Sequence, residues 1–256
     1  MAAIRFSLSL LLAALLLAGC QAHSAAHPDQ AVRACEERTF EGTRFTVCRY
    51  DARRDEIRIV DADARGPLRS FARLKTALGG DASRLLFAMN AGMFDPSGKP
   101  VGLYVEAGVE KHRINRASGG SDNFSMQPNG VFAIDAQGHV AILPGGAWPA
   151  PNLRARWATQ SGPMLVIAGR LHPRIQPNGT ALNIRNGVGV SDRDTAWFVI
   201  SDEPVSFGRL ARFFRDGLGC RNALYFDGAV SSLWEPSGGR EDSAHALGPL
   251  VAVMKR

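Results

Sequence analysis

The 256-residue chain is 45% hydrophobic and 21% charged, with a formal net charge of only +6. The surplus is scattered Arg with no basic stripe interleaved with aromatics, which argues against a nucleic-acid binder and suits a solvated surface or an anionic ligand. No repeat or low-complexity block divides the chain, as expected for one fairly large domain with a substantial core.

The first residues read as an address. Arg5 precedes an apolar run over residues 8–18, far short of the roughly 20 residues that span a bilayer, so the run is a signal-peptide h-region. It ends in Leu17-Ala18-Gly19-Cys20, which looks like a bacterial lipobox. That likeness implies a lipoprotein signal over residues 1–19, lipidation of Cys20 and a small polar tether over residues 20–34. Each buried methylene contributes about 0.8 kcal/mol, so a multiply acylated Cys20 holds the chain on a membrane surface. Gln21 rather than Asp after it points to the outer membrane, at the periplasmic face of the envelope. In that oxidising compartment Cys35 and Cys48, which flank a hairpin, are expected to pair. Cys220, beside an apolar strand, is expected to be an inert buried thiol.

Short apolar stretches between turn residues predict strands at 44–50, 56–61, 85–89, 101–106, 130–134, 140–143, 164–168, 187–190, 196–201, 224–226, 232–234 and 250–254. Phe71, Leu74 and Leu78 have helical spacing, with Ser70 as N-cap and Gly79 as stop. A second helix is expected over 206–216, with Phe207, Leu210, Phe213 and Phe214 on its apolar side. Many strands with two or three helices, in no regular alternation, predict a single α+β domain on a large mixed β-sheet.

Several strands end in polar clusters, which is how a rigid scaffold presents groups to a cleft. The strongest is Asn222-Ala-Leu-Tyr-Phe-Asp-Gly-Ala-Val-Ser-Ser-Leu-Trp234. It delivers Asp227 at a strand end, then Gly228, where the backbone turns or approaches a ligand, then Ser231 and Ser232. Asn90 ends another strand, Asn129 precedes one, and Gln160-Ser161 sits before Gly162. Arg185-Asn186 opens a glycine-rich strand. A guanidinium buried there needs an anion, either Asp227 or a ligand phosphate. Glu106 ends a strand and is a possible second carboxylate, or simply an exposed strand-end acid. His172 reads as a loop residue. A Gly-x-Ser-x-Gly elbow and a His-Glu-x-x-His zinc motif are both absent, and neither a metal nor a cofactor is expected.

The stretches N-A-G-M-F, P-N-G-V-F, Q-S-G-P-M, R-N-G-V-G and Y-F-D-G-A-V-S-S, in this order, resemble the phosphodiester glycosidase family. The resemblance implies a catalytic domain over 35–256 that releases a sugar from a sugar-1-phosphodiester. On that footing Asp227 is nucleophile or base, Arg185 stabilises the phosphate, and Glu106 is a candidate partner. Asn90, Asn129, Gln160, Ser161, Asn186, Ser231 and Ser232 are candidates for holding the substrate. The chain departs from the family pattern at Asn186, where Thr is common, and at Ala229-Val230, where glycines are common. Bulk at Val230 in the approach path also fits a non-catalytic sugar-phosphate-binding lipoprotein.

Overall fold

The computed structural model describes residues 33–256. The signal peptide, Cys20 and all but the last two residues of the tether lie outside the described residues.

The strand-rich α+β domain is as the sequence implies, with its strands distributed over three larger antiparallel sheets. The seven-stranded sheet runs, in spatial order, Cys35–Phe40, Thr43–Asp51, Thr195–Ser201, Asn186–Asp192, Asn222–Tyr225, Met164–Ile167 and Arg170–Leu171. One five-stranded sheet is Val140–Pro144, Gly130–Asp135, Ala155–Ser161, Tyr104–Glu106 and Val109–His112. The other is Arg240–Glu241, Leu233–Glu235, Leu85–Asn90, Leu250–Lys255 and Asp55–Val60.

The three sheets converge on one aromatic centre. Each contributes a fully buried phenylalanine: Phe198, Phe132 and Phe87. Phe198 lies 5.4 Å from Phe87 and 5.8 Å from Phe132, centroid to centroid, and Phe226 joins at 6.4 Å. Each such ring removes roughly 150–250 Å² from water, so this junction dominates the burial that fixes the sheets to one another. Alternation along each strand sends the intervening residues to the opposite face. On the seven-stranded sheet that face takes Phe45, Val47 and Val199, covered by helix Phe207–Arg212 and the π-helical turn Phe213–Gly217. The single helix expected over 206–216 therefore changes winding at Phe213.

The glycines of the R-N-G-V-G strand serve this packing. A Cβ on Gly189 would lie 2.5 Å from both Cys220 Sγ and the Phe214 ring. Helix Phe71–Leu78 forms as predicted, with Ser70 accepting the Arg73 N–H and Gly79 in the left-handed region at φ +56°. It packs Phe71 and Leu74 against Trp234 and Ala252 on the outer face of the second five-stranded sheet. Val230 joins the same cluster, so its bulk is spent on packing.

Cys35 and Cys48 face each other in the first hairpin and form a disulfide, as expected. Cys220 is free and buried, and burial pushes its thiol up to about 12. Replacing Cys35 and Cys48 together by Ser is expected to lower stability by about 3 kcal/mol, the loop entropy restored to the unfolded chain. Urea unfolding of the variant against wild type measures it, and an unchanged midpoint would refute it.

Candidate active site

Asp227 stands just past the end of strand Asn222–Tyr225 and caps the short turn Gly228–Val230. Its side chain is half-buried and accepts the Ala229 N–H at 3.3 Å. Burial pushes its pKa up, with only that N–H opposing. Among the described residues no Arg, Lys or His lies within 4.0 Å of it.

The turn is fastened by Asn90, at the end of strand Leu85–Asn90. Asn90 Nδ2 donates to the Asp227 carbonyl at 2.7 Å. Its Oδ1 accepts both the Asn186 amide and the Ser232 N–H, each at 2.8 Å. Asn186 also donates to the Asn90 carbonyl, and Ser231 Oγ lies 3.3 Å from Asn186 Oδ1. Five predicted residues, Asn90, Asn186, Asp227, Ser231 and Ser232, are thus one hydrogen-bonded unit. Asn90, Asn186 and Ser232 are buried inside it, while Asp227 and Ser231 face outward.

Arg185 is buried without a carboxylate, and the expected ion pair with Asp227 is not formed. Its Nε donates to the Val205 carbonyl at 2.9 Å, Nη2 to the Ala181 carbonyl at 3.1 Å and Nη1 to the Tyr225 hydroxyl at 3.2 Å. The guanidinium also lies 3.8 Å from the centre of the Phe207 ring. The physical reason is Tyr225, whose phenol fills the space beside the Asp227 turn. A Cβ on Gly228 would sit 1.7 Å from the Tyr225 hydroxyl. Gly228 therefore makes room for a phenol of this chain and not for a ligand. Burial raises the Tyr225 pKa, and the Arg185 charge opposes it.

Ser231 and Ser232 form one wall of a cleft of about 480 Å³. Opposite them Arg240 is held between Asp202 at 2.9 Å and Asp242 at 3.0 Å, with His245 beside them. Tyr225, Asp202, Arg240 and Asp242 were not singled out from sequence. Tyr225 reads there as one more apolar strand residue, and Asp202 and Arg240 meet across 38 positions with no local pattern.

Four other predicted residues are not hydrogen-bonded to the Asp227 unit among the described residues. Gln160 is a brace: Oε1 accepts the N–H groups of Leu103 and Asn115, and Nε2 donates to the Asn115 carbonyl and to Asn129 Oδ1. Asn129 donates in turn to the Phe124 carbonyl. Both amides are consumed internally and present nothing to a ligand. Ser161, beside them, is fully buried. Glu106 hydrogen-bonds no member of the Asp227 unit among the described residues. Its charge instead acts on Asp61, a buried carboxyl pushed up to about 6 by desolvation first and Glu106 second, against the pull of Arg69. His172 is a loop residue, as expected, and is buried there; its Nδ1 accepts the Arg174 N–H, which leaves the proton of the neutral ring on Nε2.

A profile of the phosphodiester glycosidase family matches residues 83–242. The chain belongs to that family. The matched span contains every member of the Asn90 unit together with Arg185, Tyr225 and Arg240. Uncharacterized protein YigE of Escherichia coli is 38% identical over 169 residues, and this chain spans 65% of that relative's length and matches it over 66% of its own. In fold the chain is similar to the catalytic domain of zebrafish N-acetylglucosamine-1-phosphodiester alpha-N-acetylglucosaminidase, auto-inhibited by its pro-peptide. The TM-score is 0.53 at 15% identity, over 87% of this chain and 82% of that one. A hypothetical protein from Synechocystis gives 0.50 at 15% identity, over 87% and 61%. At these identities the two structural likenesses concern fold alone.

One measurement probes the Asn90 unit and a second the buried Asp61. Asn90→Ala leaves the Ser232 N–H without its side-chain acceptor and the Asp227 carbonyl without its side-chain donor, with only the residue-90 carbonyl left to the Asn186 amide, and is expected to cost about 2–4 kcal/mol in denaturant unfolding; a loss under about 0.5 kcal/mol would show the unit to be incidental. Asp61 has its pKa raised on folding, so its favourable contribution is present below pH 4, fades as pH rises, and is gone above about pH 6. Asp61→Asn is therefore expected to gain about 3 kcal/mol on wild type at pH 8 relative to pH 4. Equal differences at the two pH values would show that Asp61 titrates normally.

Proposed function

We propose that this protein hydrolyses the glycosidic bond of a sugar-1-phosphodiester, releasing the sugar and a phosphate monoester. The observation that carries the reading is Asp227: a half-buried carboxyl with no cation within 4.0 Å among the described residues, held by the same Asn90 side chain that fixes Ser232 in the wall of the cleft. A phosphate monoester has a second pKa near 6, so it leaves an anomeric carbon with little need of a strong acid. The demands left are a carboxylate for the oxocarbenium-like centre and a positive field for the departing phosphate. Ionised Asp227 meets the first, as nucleophile or as base for water. Arg185 meets the second as a buried, uncompensated charge that acts through the Tyr225 hydroxyl and the turn N–H groups rather than as an open fork. Asn90, Asn186 and Ser232 hold Asp227 and Ser231 in place, and the Asp202–Arg240–Asp242 wall offers donors and acceptors to sugar hydroxyls.

The proposal does not use Gln160 and Asn129, whose amides are spent on the chain itself, nor Glu106 and Ser161, which hydrogen-bond no member of the Asp227 unit among the described residues. Val230, partly buried, packs against the Trp234 cluster, which supports the catalytic reading over the alternative of a non-catalytic sugar-phosphate binder. The proposal includes the address read from sequence: a signal over residues 1–19, lipidation at Cys20 and a place on the periplasmic face of the outer membrane.

Asp227→Asn is expected to reduce release of phosphate monoester from a sugar-1-phosphodiester by at least 1,000-fold while leaving the unfolding midpoint within about 1 kcal/mol of wild type. Turnover unaffected by the substitution would remove Asp227 from the mechanism. Because burial raises its pKa, the acid limb of kcat/KM should lie above the ordinary carboxylate range.

A further inference from the structure

Residues 176–184 run across the surface between the large cleft and a second, smaller groove. The strap is tied down by the Asn183–Val205 backbone pair and by the Arg185–Ala181 bond. Ile184 lines the large cleft, while Thr180 and Ala181 line the groove. The groove has a volume of about 210 Å³ and is walled by Met126, Ile175, Ala181 and Phe207, with Arg174 among them. It joins the candidate site directly, because Phe207 lies under the Arg185 guanidinium and against the Tyr225 ring at 4.7 Å.

The two depressions differ in chemistry. The large cleft offers hydroxyls and two carboxylates around one arginine, groups that match a polyol and repel a second anion. The small groove is largely apolar with one cation in its lining: among the described residues Arg174 has no carboxylate within 4.0 Å. The strap adds exposed apolar surface. Leu182 at 56% and Ile184 at 36% are two of the three large hydrophobics left exposed in the described chain. An apolar groove with an uncompensated arginine in its lining suits an anion that carries an apolar tail.

We infer that the small groove binds an apolar aglycone, an alkyl or aryl group esterified to the substrate phosphate, with Arg174 and the strap at the phosphate end. This inference rests on the hydrolase reading and names the substrate class for it. The sugar then lies toward Ser231 and Arg240 in the large cleft.

The test uses the full-length protein and three diesters of one sugar-1-phosphate: glyceryl, hexyl and phenyl. At least one apolar diester should be hydrolysed with kcat/KM tenfold or more above the glyceryl diester, with the gain in KM rather than kcat. Hexyl above phenyl identifies a lipid-like source, and phenyl above hexyl an aryl alcohol. Met126→Gln and Leu182→Ser should bring the preference below threefold. Hydrolysis of all three diesters at equal kcat/KM overturns the aglycone assignment and leaves the hydrolase reading intact. Hydrolysis of none overturns the hydrolase reading, and calorimetry with hexyl phosphate, phenyl phosphate and glycerol phosphate then decides the groove. Binding of neither apolar ester more tightly than glycerol phosphate, or tighter binding untouched by Met126→Gln, also overturns the assignment.

Discussion

The Asn90 side chain is where this structure is joined at its working end. One amide donates to the carbonyl of Asp227, 137 residues away, and accepts from Asn186 and Ser232, 96 and 142 residues away. Each partner is a buried backbone or amide group that would be costly to leave unpaired, so the three strand ends are held to a single geometry. An amide suits this position because it donates and accepts at once. A carboxylate could only accept, and a hydroxyl is too short to reach three strands. Small residues on the Ala91 and Gly92 side let the chain pass: a Cβ on Gly92 would lie 2.1 Å from Thr159 Oγ1.

Around that joint the electrostatics are set by what is not paired. Among the described residues Asp227 has no cation and Arg185 no carboxylate within 4.0 Å, although Tyr225 touches both Arg185 and the Asp227 turn. A direct ion pair would neutralise both and lower the Asp227 pKa. Tyr225 prevents it, taking one guanidinium N–H and filling the space above Gly228. The result is a carboxyl biased toward protonation beside a buried positive charge, held apart by a neutral phenol. Such separation is costly for stability and is characteristic of sites that act on a charged ligand.

Legibility in the sequence followed the range of the interaction. Helix Phe71–Leu78 with its Ser70 cap, the strands carrying Asn90 and Asp227, and the Cys35–Cys48 hairpin were all readable, because each is specified within a window of a few residues. The motif set also marked out Asn90, Asn186, Asp227, Ser231 and Ser232, which the fold brings together. It marked Gln160 and Asn129 in the same way, yet these bond each other and the chain at Leu103, Asn115 and Phe124. An amide at a strand end has the same local appearance whether its partner is a ligand or the chain itself. Gly228 and Gly189 were likewise legible as special positions, while the reasons for them, the phenol of Tyr225 and the packing of Phe214 against Cys220, were not.

What the sequence determined alone was periodicity, capping and the order of polar strand ends, and with them an α+β domain and the segments that matter. These are properties of neighbouring residues, so no knowledge of the fold is needed to read them. Only the tertiary structure decided that Arg185 faces Tyr225 and Phe207 rather than Asp227, that Glu106 acts on Asp61, and that Arg240 meets Asp202 and Asp242. Each of these is a choice of hydrogen-bond or charge partner across three sheets. It is set by which faces meet once the Phe87, Phe132 and Phe198 junction has closed, and no short stretch of chain records it.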